Sequence, residues 1–306
     1  MQLQRPYFAK MYSTEPKWPL QYETPQETRE LQNRRLRTMI REKIYRYHPH
    51  YRRAFKKNRI DPYSIKTVED LVKIPLSKKD DLIGNPEEFV LRTPDYKPAF
   101  WLMSAGTTAK PAIIYLTPHD LDLLVETSFR ERLIHGTSPK DVVLVTFPST
   151  VHLAFWKGIF GAFASGCLPI LPTSLGKEKV ISLCERFKVT EIWSMPTYIL
   201  HFIRVAKQSD IRLPDVRRVI LAAEKANEAV YERVRKGMLE LGADVSVKGS
   251  YGATEMRCTY NECSSFSGYH SNPDLQIVEI VDPETGEQLG PGESGAIAFT
   301  DLDGGG

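Results

Sequence analysis

The feature that most constrains the fold is a regular alternation of apolar runs and amphipathic segments between residues 117 and 248. Short β-branched runs such as Asp141–Phe147 alternate with segments whose apolar residues recur at helical spacing, and the links between them are short. Alternation of this kind is typical of βαβ units around a parallel sheet, and continuous apolar runs are typical of strands buried on both faces. The predicted fold class is therefore α/β, with a parallel βαβ-type sheet flanked by helices.

The segments on either side of this series do not show the same strand–helix alternation. Thr24-Pro25-Gln26-Glu27 is a helix start with an N-cap, a proline and a capping-box glutamate, and the helix is expected to end before Pro49. Apolar runs at Gln276–Val281 and Gly295–Thr300, with turns between them, predict an antiparallel β segment. The sequence thus divides into a helical N-terminal region (1–95), an α/β subdomain (96–248) and a loop with an antiparallel β segment (249–306).

Composition excludes several classes of protein. The 306 residues are 42% hydrophobic and 26% charged, with no run of 18 apolar residues and no signal-peptide core, so neither a membrane span nor export is expected. Four cysteines in a chain of this length do not form a disulfide framework, which favours the cytoplasm. The first 60 residues carry 15 Lys/Arg against five Asp/Glu, which favours solvated helix faces over a nucleic-acid interface.

A loop between two apolar runs, within Trp101–Thr117, carries chemistry suited to phosphate. Its candidate groups are the hydroxyls of Ser104, Thr107 and Thr108, the backbone at Gly106 and the ammonium of Lys110. Hydroxyls, exposed backbone N–H groups and a positive charge together suit the oxygens of a polyphosphate. The alternative is an ordinary hairpin turn, because glycine, serine and threonine are common in turns.

Two further candidate segments follow predicted strands, where ligands bind in open parallel sheets. They are Ala222-Ala223-Glu224 and Tyr251-Gly252-Ala253-Thr254-Glu255. In the second, Tyr251 offers a flat face for a base, Thr254 a hydroxyl for a phosphate or acyl oxygen, and Glu255 a carboxylate for Mg²⁺. The alternatives are a structural corner at the aromatic–glycine pair and a solvated surface charge at Glu255.

Taken together, these motifs resemble those of the AMP-forming adenylating enzymes, the superfamily of acyl-CoA synthetases, luciferases and peptide-synthetase adenylation domains. Ser104–Pro111 is similar to the phosphate-binding signature Ser-[Ser/Gly/Ala]-Gly-Thr-Thr-Gly-x-Pro, with alanine at position 109 in place of the usual glycine. Tyr251–Glu255 resembles the Tyr-Gly-x-Thr-Glu element. Segments around Asp61-Pro62, Lys79-Asp-Asp-Leu82 and Val278–Gly286 resemble the phenylacetate–CoA ligase-like branch.

The resemblance implies the large domain of that superfamily, incomplete here, and an ATP-dependent activation of a carboxylic acid, here an aryl acid such as phenylacetate. The acid would form an acyl-adenylate and then acyl-CoA, with ATP, Mg²⁺ and CoA as the required small molecules. Nucleotide-binding residues implied are Ser104, Gly106, Thr107, Thr108, Lys110, Ala223, Glu224, Tyr251, Gly252, Ala253 and Thr254. Catalytic roles are implied for Lys110, Thr254 and Glu255, with Glu255 also holding Mg²⁺.

Other consequences of the resemblance are less specific. The acid pocket would include Phe147, His152 and Trp156. For His152, a buried, hydrogen-bonded histidine in the core is an equally good interpretation. Cys258, Cys263 and His270 have soft-ligand spacing suited to Zn²⁺, with a purely structural role as the alternative. A homodimer is left open.

The family's ribose-binding aspartate, hinge and C-terminal domain with a catalytic lysine would follow residue 306. This chain alone is therefore expected to have reduced activity, and a non-catalytic or truncated nucleotide-binding domain is the alternative function.

Overall fold

The structure is a computed structural model that describes residues 24–104, 110–172, 174–265 and 268–305. The described α-helices are α1 (Pro25–Thr38), α2 (Tyr45–Tyr47), α3 (Pro49–Lys57), α4 (Lys79–Gly84), α5 (Pro118–His135), α6 (Leu153–Ala164), α7 (Lys177–Phe187), α8 (Pro196–Gln208) and α9 (Glu228–Glu240). The described strands are β1 (Phe100–Met103), β2 (Ile113–Leu116), β3 (Val142–Val145), β4 (Leu168–Ile170), β5 (Glu191–Ser194), β6 (Arg218–Leu221), β7 (Ser246–Gly252), β8 (Thr259–Glu262), β9 (Tyr269–His270), β10 (Gln276–Val281) and β11 (Ala296–Asp301). None of the helices in these ranges has the length and apolar character that crossing a membrane requires.

The described chain divides into two compact units by contact. The first, here called the sheet unit, is Leu124–Ser271. The second, here called the split unit, joins the described residues from 24 to 123 with those from 272 to 305. Because these units group segments by contact and not by chain order, the three-segment division of the sequence stays a prediction.

The sheet unit is built on seven strands in the order β4-β3-β5-β6-β7-β8-β9. Strands β4 to β7 pair in parallel, which confirms the predicted parallel sheet, whereas β8 and β9 pair antiparallel. Successive strand residues face opposite sides, so Leu144 and Ile192 pack toward α7, α8 and α9, while Val145 and Trp193 pack toward α6. Helices on both faces bury the strands and explain their continuous apolar runs.

The carboxyl-terminal part of the sheet departs from the prediction in two ways. The α/β subdomain was expected to end at residue 248, but strand β7 continues to Gly252, because Ser250, Tyr251 and Gly252 pair with Asn261, Tyr260 and Thr259 of β8. Strands β8 and β9 were not predicted, since their polar sequences lack the apolar alternation expected of a strand. The predicted loop motif therefore begins inside a β-hairpin.

In the split unit, helix α1 begins at the predicted capping box, with Thr24 accepting from the Glu27 backbone and Glu27 accepting from the Thr24 backbone. The helical path continues to Tyr47 as predicted, except that Met39–Ile44 is π-helical. Val68–Lys73 is a 3₁₀-helix.

The strands of the split unit form two antiparallel pairs, β1 with β2 and β10 with β11. The pair of β10 and β11 confirms the predicted antiparallel β segment, and β1 and β2 are the two apolar runs on either side of the candidate phosphate loop. The core of the split unit joins segments that are distant in sequence: Leu36 and Phe55 from the helical region pack with Ile277 of β10 and with Leu302. Each unit thus has its own apolar core.

Candidate active site

The carboxyl ends of the parallel strands β3, β5 and β6 lie at one edge of the sheet unit, and the candidate residues Phe147 and Ala222–Glu224 follow two of them. β3 ends before Thr146, β5 at Ser194 and β6 before Ala222. The Thr146 and Ser194 hydroxyl oxygens lie 2.9 Å apart, and the Ala222 N–H donates to the Ser194 carbonyl at 3.0 Å. These hydrogen bonds join neighbouring strand ends at the carboxyl edge of the sheet. Open parallel sheets bind ligands at this edge.

The segment after β6 leaves the sheet through a residue in the left-handed region. Ala223 has φ 68°, which an alanine adopts only at a cost of about 1–2 kcal/mol. The Glu224 carboxylate then accepts from the Thr197 backbone N–H at 3.0 Å and from the Thr197 hydroxyl at 2.8 Å. Glu224 therefore caps the N-terminus of α8, a structural role that the sequence did not predict.

The hairpin of β7 and β8 presents Tyr251 at the surface. Its side chain is 44% exposed, and its ring lies 6.5 Å from Tyr260 and 6.3 Å from Tyr269. Gly252 pairs with Thr259, and a Cβ at residue 252 would lie 2.7 Å from the Thr259 Cγ2 atom. The glycine is thus required by the hairpin itself, and the exposed tyrosine is a flat surface suited to stacking.

Thr254 and Glu255 lie in a 3₁₀ turn directly after β7. The turn is closed by bonds from the Met256 N–H to the Ala253 carbonyl and from the Arg257 N–H to the Thr254 carbonyl, each 3.1 Å. The turn holds a half-buried carboxylate beside a hydroxyl group. The carboxylate fits Mg²⁺, a hard cation that is bound through one or two carboxylates together with phosphate oxygens, and the hydroxyl can donate to such an oxygen.

The three candidate acid-pocket residues have different environments. Phe147 is 4% exposed and packs with Val145 and Trp193 in the core. His152 is the half-buried N-cap residue of α6, and Trp156 donates from its indole nitrogen to the Thr150 carbonyl at 3.0 Å. His152 and Trp156 are thus partly exposed on the first turn of α6, and Phe147 lies beneath the surface.

The candidate phosphate loop belongs to the split unit. Ser104 is 4% exposed, and its hydroxyl accepts from the Ala112 N–H at 2.9 Å while its own N–H donates to the Ala112 carbonyl at 3.0 Å. Ser104 therefore closes the base of the loop, and Lys110, two residues before Ala112, is exposed. Gly106, Thr107, Thr108 and Ala109 lie outside the described residues.

The candidate zinc ligands are only partly brought together. His270 hydrogen bonds to the Cys263 thiol and lowers the pKa of that thiol to about 7, with a contribution from the Ser265 N–H. Cys258 is 4% exposed. Within the described ranges, no three His, Cys, Asp or Glu side chains are grouped so that they could share a metal ion, and the set of Cys258, Cys263 and His270 is therefore not assembled there.

Sequence reasoning missed a set of buried charged residues behind the hairpin. Glu131 and Arg132 of α5 are 1% and 0% exposed, Lys157 of α6 is 2% exposed, and Glu191 of β5 is 0% exposed. A lysine within the apolar helix 153–164 and a glutamate at the start of an apolar strand were the available signals. Charged residues are rarely buried in full unless they are paired.

One of these pairs joins α5 to the middle of the sheet. The Arg132 guanidinium bonds to Glu191 at 2.7 Å and lies over the Trp193 ring, 3.9 Å from its centroid. Burial opposes the charged form of Glu191, but Arg132 and Arg218 outweigh it, so the pKa of Glu191 is lowered. The pair is therefore ionised at neutral pH.

Comparison with known proteins places these features in context. The family model described as AMP-binding enzyme matches residues 38–301. The phenylacetate-coenzyme A ligase of Aromatoleum evansii is 30% identical over 296 residues, covering 93% of this chain and 64% of that protein. The corresponding ligase of Escherichia coli K12 is 27% identical over 291 residues, covering 93% of this chain and 65% of that protein.

A solved structure of 2-hydroxyisobutyryl-CoA ligase, in complex with 2-HIB-AMP and CoA, is similar with a TM-score of 0.82 and 18% identity. The match covers 92% of this chain and 61% of that chain. This likeness confirms the predicted α/β fold. The chain spans less than two thirds of the length of each of these relatives.

Proposed function

Because this chain belongs to the AMP-binding enzyme family, we propose that it supplies the nucleotide and acid sites of an AMP-forming acid–CoA ligase. In the proposed reaction, an aryl carboxylate attacks the α-phosphorus of ATP and releases pyrophosphate. The CoA thiol then attacks the carbonyl of the acyl-adenylate and releases AMP. The observation that carries the proposal is the Tyr251–Glu255 segment, which leaves β7 at the carboxyl edge of a parallel sheet.

The proposed roles follow the chemistry of each side chain. The exposed Tyr251 ring stacks on adenine, and Glu224 with the Ala223 backbone borders the base. Thr254 donates to the α-phosphate, and Glu255 holds Mg²⁺, which neutralises phosphate charge when it is bound. His152 and Trp156 contact the acid, and Phe147 supports that pocket from the core.

The phosphate loop completes the proposal. Lys110 pairs with phosphate oxygens, Ser104 fixes the loop base, and Gly106, Thr107 and Thr108 supply backbone and hydroxyl donors. In this reaction the substrate carboxylate is the nucleophile, and no protein side chain takes that role. Catalysis would therefore consist of positioning the carboxylate for in-line attack and stabilising the charge that develops on phosphate.

A cytoplasmic location is part of the proposal. No disulfide joins the four cysteines, all of which lie among the described residues, and free thiols suit a reducing compartment.

The test is carboxylate-dependent exchange of labelled pyrophosphate into ATP over a panel of aryl acids. Glu255→Gln is expected to lower the exchange rate about a hundredfold, and Lys110→Ala to raise the KM for ATP about tenfold. Glu185→Gln and Lys140→Ala remove exposed charges elsewhere and are the matched controls. ATP binding without exchange for any acid would reject the ligase assignment and favour the alternative, a nucleotide-binding domain without turnover.

A further inference from the structure

A single buried carboxylate holds both strands of the hairpin that carries Tyr251. The Oε1 atom of Glu131 accepts from the Ser250 hydroxyl at 2.9 Å and from the Thr259 hydroxyl at 2.7 Å. Ser250 lies on β7, Thr259 lies on β8, and Glu131 lies on α5 and is 1% exposed. Hydrogen bonds to a charged acceptor are stronger than neutral ones, so this oxygen is a firm attachment point.

The alternation of side chains across the hairpin explains what this attachment controls. Ser250 directly precedes Tyr251, and Thr259 directly precedes Tyr260. Adjacent strand residues point to opposite faces, so the two hydroxyls face α5 while the two stacked tyrosines face away from it. Fixing the hydroxyl face therefore fixes the position and tilt of the Tyr251 ring.

Helix α5 contacts the hairpin at a second point one turn later. The Nε2 atom of His135 lies 3.3 Å from the Asn261 Oδ1 atom, and Asn261 is the β8 residue paired with Ser250. Residues four apart lie on the same face of a helix, so Glu131 and His135 form one polar strip against the hairpin. Two contacts along a rigid helix restrain both sliding and rotation of the hairpin.

The second oxygen of Glu131 faces a buried lysine. The Lys157 ammonium lies 3.7 Å from Glu131 Oε2, 3.1 Å from the Thr127 hydroxyl and 3.4 Å from the Ser128 hydroxyl. Burial lowers the pKa of Lys157, and the Glu131 carboxylate opposes that shift. Buried ion pairs are poor sources of net stability compared with apolar residues of similar volume, so stability alone is a weak explanation for this pair.

From this geometry we propose that Glu131, supported by Lys157, is a positioning residue that holds the β7–β8 hairpin so that Tyr251 can receive the nucleotide base. The inference rests on the proposed function for the role of Tyr251, but the attachment of the hairpin to α5 is independent of it. Glu131 does not itself touch the reacting atoms.

Hydrogen–deuterium exchange of the full chain tests the attachment without any ligand. The double variant Glu131→Leu/Lys157→Met removes the acceptor and both charges, and it is expected to raise amide exchange about tenfold in residues 250–252 and 259–261. Glu131→Gln/Lys157→Met keeps an acceptor oxygen without charge, and most of the protection should return. Protection of β3 and β5 should be unchanged in both variants.

A matched pair of single variants separates positioning from general stability. Thr259→Val and Thr137→Val each delete a hydroxyl that donates to a buried carboxylate, at Glu131 and Glu191 respectively. Only Thr259→Val should loosen the hairpin. Unchanged hairpin exchange in Thr259→Val and in the Leu/Met variant, or an equal rise throughout the sheet, would overturn the proposal.

Pyrophosphate exchange then tests the link to the nucleotide. In the Leu/Met variant the KM for ATP should rise about tenfold and kcat should fall as well, because the loosened hairpin carries Tyr251 and, in the turn between its strands, Thr254 and Glu255. A hairpin loosened with no change in KM would overturn the role assigned to Tyr251 positioning. If the unmodified chain shows no exchange with any acid, the ligase assignment fails, and hydrogen–deuterium exchange still decides whether Glu131 holds the hairpin.

Discussion

At residue 135 a neutral histidine lies inside the sheet unit. His135 is 2% exposed, and burial lowers its pKa to about 4, a shift that Arg132 and Lys248 reinforce and that Glu131 and Glu191 oppose. Its ring lies edge-on to Trp193, with centroids 5.3 Å apart. The side chain is therefore an uncharged part of the core at neutral pH.

This environment predicts a pH dependence of stability. An unfolded histidine titrates near pH 6.5, so between pH 6.5 and about 4 the unfolded chain binds more protons than the folded chain. The free energy of unfolding should fall as the pH is lowered through this window, by about 2 kcal/mol between about pH 7.5 and pH 5. Urea unfolding at the two pH values measures this change in the free energy of unfolding.

The comparison is between His135→Gln and His201→Gln, since His201 is an exposed histidine on α8. Only His135→Gln should reduce the difference in unfolding free energy between the two pH values. An undiminished pH dependence in His135→Gln would show that other groups cause the acid lability.

Single residues also show what the sequence could and could not predict. The place of Tyr251 and Glu255 at the end of a strand was predictable from the apolar run before them, and their roles toward a nucleotide stay predictions. The capping role of Glu224 could not be predicted, because its partner Thr197 is 27 residues away, on α8. Likewise, Glu131 and Lys157 are ordinary charged residues in sequence and become a buried pair only after α5 and α6 pack.

At the scale of elements, the β7–β8 hairpin needs glycine at residue 252. A Cβ there would lie 2.7 Å from the Thr259 Cγ2 atom and 2.9 Å from the Cys258 carbonyl oxygen. Backbone cannot move aside as easily as a flexible side chain, so Gly252→Ala should destabilise the chain by about 2 kcal/mol. Urea unfolding of the purified variants gives this value directly.

Gly84→Ala is the control, because a Cβ at residue 84 meets no heavy atom within 4 Å. This substitution should be neutral or slightly stabilising, since alanine restricts the unfolded chain more than glycine does. Equal effects of the two substitutions would mean that the hairpin accommodates the methyl group and that the close approach at residue 252 is unimportant.

Element prediction succeeded where hydrophobic periodicity was strong and failed where pairing depended on tertiary contacts. Strands β3 to β6 and helices α6 to α9 were predicted because their apolar residues have a clear period. The polar β8 and β9 form strands only because β7 offers a paired edge. The π-helical turns of Met39–Ile44 carry no pattern that distinguishes them from an α-helix.

At the scale of the whole molecule, the split unit assembles from both ends of the described chain. Ile277 of β10 is 3% exposed and packs with Leu36 and Phe55, which precede it by more than 200 residues. The Arg35 guanidinium adds a bond to the Asp274 carbonyl at 2.9 Å. Periodicity predicts each of these segments alone but contains no information on which distant segments share a core.

This shared core predicts that a change in β10 weakens helices near the start of the chain. Ile277→Ala removes buried methyl groups and should lower the free energy of unfolding by about 2–4 kcal/mol. In hydrogen–deuterium exchange, loss of protection should appear in α1 and α3 as well as in β10, because their core is the one that loses contacts. Helices α8 and α9 pack in a separate cluster and should keep their protection.

Val278→Ala provides the matched control, since Val278 is the next residue of the same strand, faces the opposite side and is 37% exposed. It should cost less than about 1 kcal/mol and leave α1 and α3 protected. If Ile277→Ala instead deprotected α8 and α9 as strongly as α1 and α3, the chain would unfold as one unit, and the division into two cores would have no energetic meaning.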